Sequence, residues 1–88
     1  MAPESKDLRS LLPMLEHPRS ESELDASTSI RLVAFALTSW SDWWASNALN
    51  WVDQGVMADQ VTEALRSCAQ DGRYSQQTRH RAWRYLKA

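Results

Sequence analysis

The chain has 88 residues, of which 43% are apolar and 24% charged, with a formal net charge of −1. A chain of this length makes one domain, residues 1–88, and its composition falls in the globular range and outside the disordered one. A lone Cys68 excludes an internal disulfide, and His17 and His80 lie too far apart in the chain to suggest a metal-ligand cluster, so neither metal nor cofactor is expected.

The N-terminal stretch Met1-Ala-Pro-Glu-Ser-Lys-Asp7 carries charges where a secretory signal needs an apolar run. Leu32 to Ser41, as long as any uncharged stretch in the chain, is too short to span a bilayer, so the expectation is a cytoplasmic protein without a membrane segment. Leu8, Leu11, Leu12 and Leu15 recur at i, i+3, i+4, i+7 and predict an amphipathic helix over 5–17 with Ser5 as N-cap. Pro13 must kink that helix or divide it into two short turns, and Pro18 ends it. Residues 1–22 thus read as an N-terminal helix and linker. Ser20 and Glu23 have capping-box spacing, which starts the next helix near Glu23.

From Leu24 to Asp53 there is neither Gly nor Pro, and Ile30, Val33, Leu37, Trp40, Trp44, Ala48 and Trp51 keep one helical face. Four tryptophans, Trp40, Trp43, Trp44 and Trp51, project into one arc of roughly 100° at about 100° per residue. Burial is expected for Trp40, Trp44 and Trp51, and partial exposure for Trp43 at the edge of the arc. A single helix over this span would be about 45 Å long, against a radius of gyration of about 12 Å for a compact chain of this size. The weak helix formers Thr38-Ser39-Trp40-Ser41 therefore mark a break, with Ser39 as cap. A broken helix allows a monomer, whereas an unbroken one would need a homodimer to cover its far end.

Gly55 supplies the C-cap of the Trp-bearing helix. Asp59 is read as the cap of a helix with face Val61, Ala64, Leu65 and Cys68, closed by Asp71-Gly72. Ser75 caps a last helix over 76–87 that turns Ala82, Tyr85 and Leu86 inward. The expected fold is all-α, a small four- to five-helix bundle of antiparallel helical hairpins, with 23–88 as its core.

Val33-x-x-Ala36-Leu37-x-Ser39 matches Val61-x-x-Ala64-Leu65-x-Ser67, and Ala48-Leu-Asn-Trp-Val52 parallels Ala82-Trp-Arg-Tyr-Leu86. This spacing, with the ending Asp71-Gly-Arg-Tyr-Ser-Gln-Gln-Thr-Arg-His-Arg-Ala-Trp-Arg-Tyr-Leu86, resembles the HEAT-like class of helical-hairpin repeats over residues 24–87. The resemblance implies a scaffold for protein contacts without chemistry. Val61 to Leu86 also resembles a helix-turn-helix, which would make Gln76, Gln77, Arg79, His80 and Arg81 readers of base edges. It departs from that pattern where Thr78 and Arg81 occupy positions the motif keeps apolar.

Nothing in the chain suggests catalysis. Cys68 sits on an apolar helix face, the histidines lack neighbours suited to general-base work, and two glycines make no phosphate loop. Charge supplies the functional signal. Residues 73–88 hold five basic groups and no acid, against three basic and six acidic in residues 1–29. The expected partner-binding surface is therefore Arg79, His80, Arg81 and Arg84 on the last helix together with Trp43, meeting another protein. The alternative is a nucleic acid read by the same basic helix.

Overall fold

A computed structural model describes residues 8–87, and its elements begin with a short helix α1 (Leu8–Leu11) that tightens into a 3₁₀ turn at Leu12–Glu16. Pro13, near the start of that turn, divides the segment as its ring requires. The proposed cap Ser5 lies outside the described residues. Leu12 and Leu15 are buried and Leu8 and Leu11 pack against the core, so the leucine stripe faces inward.

A second 3₁₀ turn, Arg19–Glu21, follows Pro18. The helix expected near Glu23 begins later, as α2 (Ala26–Leu37), because Asp25 is its cap and accepts the Thr28 amide at 2.8 Å. Ser20 caps nothing, since it is taken up in the 3₁₀ turn. Three more helices complete the chain: α3 (Asp42–Asp53), α4 (Asp59–Gln70) and α5 (Gln76–Leu86). Among the described residues there is no strand, and the fold is a small all-α bundle.

The long apolar run is broken at Thr38–Ser41. Hydroxyls of Thr38 and Ser39 donate back to the α2 carbonyls of Ala34 (3.1 Å) and Ala36 (2.8 Å), supplying partners to groups that a helix end leaves unpaired. Trp40 then adopts φ 68°, in the left-handed region, and the chain turns. Ser41 caps α3 through the Trp44 amide at 3.3 Å, where the sequence reading placed the cap on Ser39. Both serines are competent caps, but Ser39 is spent closing α2. The bundle's longest dimension is 38 Å, shorter than the rod an unbroken helix would make.

Gly55 ends α3 as expected, at φ 107°. Its amide donates to the Val52 carbonyl (2.9 Å) and that of Val56 to the Trp51 carbonyl (3.1 Å), the paired bonds of a Schellman cap, and Val56 is buried beside them. Asp59 is the first residue of α4 rather than its cap, and the preceding Ala58 offers no side-chain acceptor. Ser75 does cap α5, through the Thr78 amide at 3.2 Å.

α2 packs on α3 and on α4, α4 on α5, and α3 more lightly on α5, so two helical hairpins lie side by side. Val33, Ala36 and Leu37 of the first occupy the core as Val61, Ala64 and Leu65 do in the second. Trp51 is 0% exposed, and its Nε1–H donates to the His17 carbonyl at 2.8 Å, fastening the N-terminal segment onto α3.

Candidate interaction surface

The corner between α2 and α3 exposes what the helical arc placed inside. Trp40 is 60% exposed, against the expectation of burial, because its left-handed backbone swings it off the α2 face. Trp43 is 61% exposed, and Trp44, expected in the core, is only partly buried. A groove of about 500 Å³ runs along this corner, lined by Leu12, Phe35, Thr38, Trp40, Ser41 and Trp44 among others.

The corner is held from the second hairpin. Tyr74, buried in the α4–α5 connection, accepts the Trp40 amide at 2.7 Å and donates its hydroxyl to the Leu37 carbonyl at 2.7 Å. Burial pushes the Tyr74 hydroxyl pKa up, so this donor keeps its proton at neutral pH. The neighbouring Arg73 lays its guanidinium 3.9 Å from the Trp40 ring centroid and also grips Asp71 through two bonds of 3.0 and 3.1 Å. Those bonds and the Arg73 amide hold the Asp71 carboxyl below the usual carboxylate range. On α3, Trp43 Nε1–H donates to Glu16 at 3.0 Å.

The proposed basic surface on α5 is divided by the fold. Arg81 does not face outward. It reaches α3, where it pairs with Asp53 (3.1 Å) and donates to Asn50 (3.0 Å) and, at 3.4 Å, to the Ser46 carbonyl. Arg79 is half-buried and donates to the Tyr74 carbonyl at 3.2 Å. His80 and Arg84 are exposed, and Arg84 borders a shallow depression of about 370 Å³ with Asp53, Arg81 and Tyr85. Trp43, Ser46 and Asn50 follow one another at i, i+3, i+7 on α3, so Trp43 continues the stripe that Arg81 grips. Trp83 of α5, to which the sequence assigns no role, is 47% exposed.

Because Arg81 is only partly buried and Asp53 is half-exposed, solvent screens the pair. Arg81→Ala is expected to lower stability by about 1 kcal/mol, measured by urea unfolding. An unchanged midpoint would return Arg81 to the outer surface.

The N-terminus of α5 is closed by an acid from α3. Asp42 accepts the Ser75 amide at 2.8 Å and the Ser75 hydroxyl at 3.2 Å, and the amide bond holds its carboxyl below the usual range. A carboxylate therefore occupies the neighbourhood in which a recognition helix would meet a phosphate. Thr78 is buried and faces the core. With Arg79 and Arg81 bonded internally, Gln76, Gln77 and His80 are the exposed remainder of the base-reading set.

Cys68 is buried, and burial pushes its thiol up to about 11, which leaves it protonated and unreactive at neutral pH. Among the described residues no three of His, Cys, Asp and Glu gather as a metal-ligand set, and no helix is long and apolar enough to cross a membrane. No family model, curated protein or solved structure matches the chain.

Proposed function

We propose that this chain is a small protein-interaction module, an adaptor, inhibitor or regulatory subunit without catalytic activity, whose partner is another protein docking on the Trp40–Trp43 corner. The reading places it in the cytoplasm and treats the paired hairpins as a HEAT-like scaffold. One observation carries it: a large aromatic residue stands 60% exposed at a left-handed backbone position. Such a backbone costs a non-glycine residue about 1–2 kcal/mol, and a glycine there would turn the chain without it. The fold gains little from this indole beyond its stacking on Arg73, so the side chain is best explained by what it contacts outside the molecule. Strain kept at an exposed site is the pattern of functional positions, and tryptophan and arginine are the residues most enriched at binding hot spots.

Trp40→Gly is expected to change stability by less than about 1 kcal/mol, since lost stacking and added chain entropy offset the relieved strain. The Tyr74 bond survives, because it uses the backbone amide. Affinity purification from the source cell, with and without nuclease, tests the reading when the parent and Trp40→Gly are compared. Proteins retained by the parent after nuclease and lost with Trp40→Gly support it. Retention that disappears with nuclease and falls steeply with salt would instead assign the surface to nucleic acid.

A further inference from the structure

A second site lies away from the aromatic corner, where the Arg19–Glu21 turn and the α3–α4 connection meet the start of α2. A pocket of about 250 Å³ opens there, walled by Ile30, Val56 and Met57 and bordered by Arg19, Ser29 and Gln54. Ser29 is 1% exposed, and its Oγ is the one buried side-chain polar atom among the described residues that has no hydrogen-bond partner. Folded proteins rarely leave such an atom unsatisfied unless a ligand or an ordered water completes it.

Arg19 is the second unusual group. Its amide donates to Gln54 Oε1 at 2.7 Å, which fixes the turn, while its guanidinium rests 5.8 Å from the Trp51 ring centroid. Among the described residues no carboxylate pairs with that guanidinium. The first turn of the twelve-residue α2, whose Ala26 also lines the pocket, adds the positive end of a helix. Asp25, the acid that precedes α2, is engaged by the Thr28 amide, and neither it nor Glu21 nor Asp53 lines the pocket.

We propose that this pocket binds a carboxylate bearing a short branched aliphatic tail. The carboxylate bonds to the Arg19 guanidinium and accepts the Ser29 hydroxyl, and the tail packs against Ile30, Val56 and Met57. Two sources carry this chemistry, a free short-chain acid and the C-terminal Leu or Val of a peptide, and a pocket of this volume admits one side chain of that size. Charge-assisted bonds to a planar guanidinium supply selectivity for the ionised acid over its amide.

The test is amide-detected NMR titration of the full chain with 4-methylpentanoate, with 4-methylpentanamide, and with an acetylated tetrapeptide ending in Leu with a free carboxylate. Saturable shifts at Ser29, Val56 and the Arg19 side chain are expected with the acid or the peptide, in the millimolar range or tighter. The amide and the Arg19→Gln variant should each lose about tenfold or more in affinity. Ser29→Ala should weaken binding while raising the melting temperature, because it removes the unpartnered hydroxyl, and this arm stands if Arg19→Gln fails to fold. Equal affinity for acid and peptide assigns the site to a free acid, and tighter binding of the peptide assigns it to a chain terminus. No saturable shift with either, equal binding of acid and amide, or full affinity in folded Arg19→Gln or Ser29→Ala overturns the proposal.

Discussion

Trp51→Ala is expected to unfold much of the protein at room temperature. The side chain is 0% exposed in the core shared by α3 and the N-terminal segment, so its removal deletes a large apolar volume that neighbours cannot refill. It also leaves the His17 carbonyl without its donor and Arg19 without its aromatic support. Large-to-small changes of this kind cost about 3–5 kcal/mol, a large share of the roughly 5–15 kcal/mol available to a natural domain. Urea unfolding followed by circular dichroism measures it. A midpoint equal to the parent's would mean that Trp51 is a contact residue and that the core lies elsewhere.

The second large effect is expected from a single oxygen. Tyr74→Phe keeps the ring in its buried place but removes the acceptor of the Trp40 amide and the donor to the Leu37 carbonyl. Two backbone groups then lose their partners, at about 2–3 kcal/mol together, which for a domain of this size lowers the melting temperature by roughly 10 °C or more. The same variant should loosen the Trp40 corner, read as a loss of protection from hydrogen exchange at the Trp40 amide. Parental stability in Tyr74→Phe would show that the hydroxyl is not what holds the corner.

The features that sequence foresaw were local ones. The leucines of the first segment, the Val61–Cys68 face, the Gly55 cap and the Ser75 cap each depend on residues within a turn or two of one another, where spacing and conformational preference decide. Even the break in the tryptophan helix was signalled by Thr38 and three weak helix formers after it. What escaped was set by partners far along the chain. Tyr74 meets Leu37 and Trp40 across separations of 37 and 34 residues, and nothing beside Tyr74 announces this.

Arg81 shows the same limit from the charge side. Counting cations along residues 73–88 identifies a basic segment, but not that Asp53, Asn50 and Ser46 stand opposite one of its members. Trp40 failed for a related reason. Periodicity assigns a face only while the helix continues, and one residue at positive φ voids the assignment for the side chain it carries. The caps fell to Ser41 and Asp25 where Ser39 and Ser20 were expected, because these residue types cap about equally well and tertiary packing decides which one is left free.

The Tyr74 hydroxyl sits between the two hairpins like a latch whose both ends must be engaged. Its ring belongs to the second hairpin, and the groups it joins belong to the last turn of α2 and to the residue that turns the chain toward α3. The exposed tryptophan corner is consequently not a property of the segment that contains it. A peptide spanning only α2 and α3 would carry every aromatic residue of the corner and lack the oxygen that orients it. The ordered form of this corner therefore depends on assembly of the whole bundle, and a nascent chain acquires it only after Tyr74 has been made and docked.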